Sequence, residues 1–83
     1  MKSNKAKSLA EILKSQLDDT EFVQSCGALA VIRSNKRRAL DELRISCTAA
    51  LQHPADGTLN ELIAACNALK EIHSVEEAYH DTH

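Results

Sequence analysis

Three sets of side chains in this sequence are equipped for chemistry: three cysteines, a histidine–glutamate cluster near the C-terminal end, and a basic run in the middle. Cys26, Cys47 and Cys66 carry thiols for nucleophilic or redox work. They lie far apart, form no C-x-x-C pair, and have no histidine predicted beside them to generate a thiolate. Each falls on an apolar stripe, where a free cysteine serves as a small buried hydrophobe. His73, Glu76, Glu77, His80 and His83 recur at helical spacing, so several share one face. His73, Glu76 and His80 would be the ligands of a metal site built there, but no H-E-x-x-H or paired-cysteine pattern accompanies them. A solvated last turn, with His73 beside the basic run, is the plainer reading. Arg33, Lys36, Arg37 and Arg38 would hold phosphate or RNA if they formed one stripe. They spread around a helix instead, acids oppose the inward ones, and no aromatic side chains interleave to stack on bases. There is no Gly-rich phosphate loop and no carboxylate pair that a turn would enclose in a cleft. The expectation is a protein that is not an enzyme, takes no cofactor or metal, and does not have nucleic acid as its main partner.

The elements that must position these groups are helices. Ala, Leu, Glu, Lys and Arg dominate, there is one Phe, one Tyr and no Trp, and no stretch alternates apolar with polar residues. A chain of 83 residues makes one small domain. Leu, Ile, Val and Phe number only 19, so the core is thin and a partner or a second copy would stabilise it. The net charge of −2 gives no global field for nucleic acid or an anionic membrane. An odd number of dispersed cysteines suits a reducing compartment, so a cytoplasmic location is expected. No signal peptide is visible, and no apolar run approaches the roughly 18 residues of a membrane span.

Residues 1–7, with three lysines, read as a flexible basic arm. Ser8 and Glu11 form a capping box for a short helix over 8–18, whose Leu9, Ile12, Leu13 and Leu17 share one face. Asp18-Asp19-Thr20 supplies a stop and the next cap. A long second helix over 21–51 carries a stripe of Phe22, Cys26, Leu29, Leu40, Leu43, Cys47, Ala50 and Leu51, flanked by Ile32 and Ala39. Gly27 inside it marks either a kink or the true start of that helix. The break at Gln52–Gly57 holds the chain's single proline, Pro54, and is followed by a second capping pattern at Thr58 and Glu61. A third helix over 59–80 carries Leu59, Leu62, Ile63, Cys66, Leu69, Ile72 and Tyr79 inward. A stop and a start so close together fold the chain into an antiparallel hairpin. Leu51 should then meet Leu59, Cys47 meet Leu62 and Ile63, Leu43 meet Cys66, and Leu40 meet Leu69. Toward the open end Arg33 should approach Glu76 or Glu77, and Lys36 should approach His73. The fold class is thus all-α, three helices in one domain: a short first helix and a helical hairpin.

Some apolar groups are surplus to that hairpin. Val31, Ile45 and Ala49 project from the far side of the second helix, and Val23 and Ala30 also lie off the stripe. Two coverings are open: the first helix folds onto them, or a partner's helices do so in helix-in-groove fashion. The candidate partner-binding residues are Leu9, Ile12, Leu13, Leu17, Val23, Val31 and Ile45.

Over residues 39–75, the Leu-Asp-Glu-Leu-Arg end of the second helix, the Pro/Gly turn and the stretch from Leu62 through Ile72 resemble the small type III secretion needle co-chaperones of the YscE/PscE/SsaE kind. That resemblance spans under half the chain and carries no diagnostic motif. It implies a non-enzymatic cytoplasmic adaptor that pairs with a tetratricopeptide-like chaperone and keeps a needle subunit from polymerising. The alternative function is a self-associating helical-bundle regulator, including one that binds nucleic acid, and a homo-oligomer fits either reading.

Overall fold

The structure, a computed structural model, describes residues 8–82, which form four helices and no strand. They are α1 (Leu9–Asp18), α2 (Thr20–Cys26), α3 (Ala28–Gln52) and α4 (Asp56–Thr82). The all-α expectation holds. The basic arm read over 1–7 and the last histidine, His83, lie outside the described residues.

Local chemistry sets the boundaries. The Ser8–Glu11 capping box forms in both directions: the Glu11 amide donates to Ser8 Oγ at 3.2 Å, and the Ser8 amide donates to Glu11 Oε1 at 3.0 Å. Asp19 ends α1 and caps α2, accepting from the Phe22 amide at 3.1 Å. The segment read as one second helix is two, because Gly27 has φ 87° and ψ 133°. Only glycine occupies that backbone region without strain, so the three-helix layout becomes four. The reversal near Pro54 is present, but α4 begins at Asp56, ahead of the expected Thr58 cap. Thr58 instead ties the turn together: its hydroxyl accepts from the Ala55 amide at 3.1 Å and donates to the His53 carbonyl at 2.7 Å.

The core sits where α1 crosses the hairpin. Leu13, Ile32 and Ile72 are its largest fully buried side chains, joined by Ala10, Val31 and Ala39. Leu9, Leu17, Leu69, Val75 and Tyr79 pack around them. Lower down, Ala50 and Ala65 close the seam between α3 and α4. The seam is therefore rotated from the expected one. Leu40, Leu51, Leu59 and Ile63, read as seam residues, remain 46–79% exposed. The physical reason is twofold. Docking α1 on one side draws Val31 and Asn35 inward, and alanines at 39, 50 and 65 let the two helices meet on their small-residue stripe. The result is flat and elongated, 43 × 33 × 21 Å, with a radius of gyration of 14.7 Å. A compact chain of this length has about 12 Å.

Candidate functional site

Because α1 covers one side of the hairpin, the opposite side is open, and it carries the larger apolar side chains. On α3 the open stripe runs Leu29, Arg33, Lys36, Leu40, Leu43, Cys47 and Leu51, at steps of three or four residues. On α4 it runs Leu59, Leu62, Ile63, Cys66, Leu69, His73, Glu76, Glu77 and His80. Leu43 and Cys66 line one shallow groove of this face together with Leu69 and His73, so their expected proximity across the hairpin is met. A deeper groove of about 520 Å³ lies along α3 toward the open end, lined by Leu29, Arg33, Lys36, Leu40 and Glu76 among others.

The face has two halves. Near the turn it is apolar, with Leu40, Leu51, Leu59 and Ile63 exposed. Cys47 and Cys66 lie among them and are exposed, and Cys26 is exposed on α2. The expectation that the cysteines are buried is thus overturned: Cys47 and Cys66 ride on the stripe that the rotated seam leaves outside, and Cys26 ends the separate helix α2.

At the far end the face is charged. Lys36 Nζ stands 2.9 Å from Glu76 Oε1 across the hairpin. His80 Nε2 is 3.6 Å from Glu76 Oε2, and His73 Nε2 is 3.3 Å from Glu77 Oε2. The expected partners are exchanged by one helical step. Lys36 meets Glu76, not His73, and among the described residues Arg33 makes no ion pair. The Lys36 ammonium beside it is the chief cause that holds the Glu76 carboxyl below its ordinary 4.5; burial opposes it, and the charge of His80 adds to it. Among the described residues no three His, Cys, Asp or Glu side chains converge as metal ligands. The geometry explains this for His73, Glu76 and His80, since Lys36 occupies the space beside the Glu76 carboxylate.

The candidate partner-binding residues from sequence fall into different environments. Leu13 and Val31 are core residues, and Leu9 and Leu17 pack against that core. Ile12 and Val23 are half-buried. Ile45, 69% exposed, projects from α3 beside a separate shallow groove with Thr48 and Ala49. The first helix therefore covers Val31, while Ile45 and Ala30 of the same surplus set stay exposed. Sequence reasoning passed over Asn35, which is buried between α1 and α3. Its Nδ2 donates to Gln16 Oε1 at 2.8 Å and to the Val31 carbonyl at 2.8 Å. The signal available was its position between Val31 and Ala39 on the inner side of α3, where a polar residue needs a partner.

No described helix is long and apolar enough to cross a membrane. In comparison with known proteins, no family model, no characterised sequence and no solved structure matches the chain.

Proposed function

We propose that the protein is a non-enzymatic protein-binding adaptor whose open hairpin face receives helices of another polypeptide. The observation that carries this reading is the row of Leu40, Leu51, Leu59 and Ile63, large apolar groups left in water along one continuous face. Contiguous exposed apolar surface of this kind marks interaction sites, whereas scattered single residues do not. The polar groups at the far end already have neighbours, Lys36 beside Glu76 across the hairpin, and His73 beside Glu77 and His80 beside Glu76 along α4. The specific form that the sequence resemblance implies is a cytoplasmic co-chaperone of type III secretion, working with a tetratricopeptide-like chaperone and a needle subunit. The docking residues move accordingly, from Leu13 and Val31 to the open stripe.

The test is capture by the tagged full chain in its native host, wild type beside Leu51→Asp and Ile63→Asp. Both positions are exposed, so helicity should be retained while the captured protein is lost. Capture that is unchanged by both substitutions would refute the docking face.

A second reading, a self-associating regulator that binds nucleic acid, rests on the exposed Arg33, Arg37, Arg38 and Arg44 of α3. Salt separates the two. Affinity for nucleic acid falls steeply as salt rises, whereas an apolar helix interface responds weakly.

A further inference from the structure

We propose that a second copy of this chain covers the open face, with its turn lying over this turn and its α3 lying over this α4. The inference rests on the reading of that face as a docking surface and names its occupant.

Two independent patterns on the face select the same arrangement. The first is the division into an apolar half by the turn and an opposite half that, beside the exposed Leu29, is charged. Two identical faces can meet in register in two ways. If the twofold axis runs along the helices, both turns lie at the same end and apolar half meets apolar half. If it runs across them, each apolar half meets a charged half, which strands Leu51 and Ile63 against polar groups and desolvates charge without a partner.

The second pattern is the charge of the two stripes. On the open face α3 presents Arg33 and Lys36 and no acid, whereas α4 presents Glu76 and Glu77 beside His73 and His80. An axis along the helices places basic α3 over the partner copy's acidic α4, twice. An axis across them sets Arg33 and Glu77 over the apolar end of the other copy, where neither meets an opposite charge. Charge complementarity and apolar complementarity thus agree, although they come from different residues.

The lengthwise axis also fixes pairings. At the apolar end, Leu51 of one copy settles between Leu59 and Ile63 of the other. At the charged end, Arg33, which makes no ion pair within its own chain among the described residues, comes over Glu77 of the other. Every helix then has antiparallel neighbours, as in a four-helix bundle, and the thin core of one chain becomes half of a two-layer core.

Sedimentation of the full chain from micromolar to millimolar concentration, with helicity followed by circular dichroism, tests the proposal. Wild type should sediment at twice 9.1 kDa. Ile63→Asp should raise the dimer dissociation constant at least tenfold and leave the helical signal intact. Arg33→Glu alone and Glu77→Arg alone should each weaken the dimer, because each sets like charges against each other at both contacts. Mixing those two variants should restore it. In the mixed pair the two substituted side chains face each other with opposite charge at one contact, and native Arg33 faces native Glu77 at the other. A mixture that fails to reassociate, or a dimer indifferent to Ile63→Asp, would place the axis elsewhere and overturn the arrangement. Wild type that stays at 9.1 kDa throughout would exclude the second copy. If that monomer still loses its captured protein on Ile63→Asp, only the choice of occupant fails. If capture too is unaffected, the docking face fails with it.

Discussion

The two faces of the α3–α4 hairpin are built from the same helices, yet one is closed by the chain itself and the other is not. On the closed face α1 lays Leu13 against Ile32 and Ile72, and Asn35 fixes the approach by bonding to Gln16. On the open face a comparable number of leucine and isoleucine side chains point into water. The difference shows that apolar content alone does not decide what is core. A face becomes core when a connected element of the right length can reach it. Helix α1, released from α3 by the short α2 and the bend at Gly27, reaches one side only. The chain therefore closes one face of the hairpin with its own first helix and leaves the large side chains of the other exposed.

The contrast can be broken from its strong side first. Leu13→Ala should cost about 2–5 kcal/mol through lost burial and the cavity left behind. For a domain of this size that is a large share of the total, and thermal unfolding should show a midpoint lower by roughly 10 °C or more. A small shift would mean that α1 is only loosely docked. Gly27→Ala should follow, at about 1–3 kcal/mol, since a side chain at φ 87° is strained although no atom crowds it. Chemical denaturation reads this directly, and an unchanged midpoint would show that the α2–α3 break is dispensable.

Next is the charged end of the open face. Lys36→Glu should destabilise the chain, and adding Glu76→Lys should recover a coupling of about 1 kcal/mol in a double-mutant cycle. The pair also sets an acid limit. The Glu76 carboxyl lies below 4.5 in the folded chain, so the unfolded chain binds the proton more tightly. Its contribution is present above pH 4.5 and is lost as pH falls through the lower folded value. Glu76→Gln should flatten that part of the stability–pH curve, and an identical curve would remove Glu76 from the account. The smallest effect belongs to the apolar end. Leu51→Asp, at dilution where chains are single, should change stability by no more than about 0.5 kcal/mol. A larger loss would show that this stripe contributes to the monomer's own core.

Much of the architecture is legible from residues. Ser8 and Glu11 announce α1, Asp19 announces α2, and the Pro54 region announces the reversal, because capping and turn chemistry act locally. The height of opposed positions across the hairpin is also readable, and the Lys36–Glu76 contact falls one helical step from its expected partner. The rotation of the helices about their own axes is not readable. Two adjacent stripes compete on α3, one of large residues through Leu40 and Leu51 and one of small residues through Ala39 and Ala50. Weighing side chains by size favours the first. The choice between them depends on where α1 lands, a long-range contact that no spacing rule contains. The same rotation explains why spacing alone points to α1 and Val31 as docking residues, and why it places the cysteines inside.

Half of the buried apolar side chains among the described residues are alanines, and Ala39, at 1% exposure, sits midway along α3. Short of glycine, which costs about 1 kcal/mol of helix stability relative to alanine, a methyl group is the least that can separate two backbones at such a crossing. The interior thus works as a spacer of minimum thickness: enlarging Ala39 to valine would wedge α3 from α4 and widen the gap between the rows of leucine on the outside. A change wholly hidden from solvent would then reset the spacing of the exposed rows without altering a single group in them.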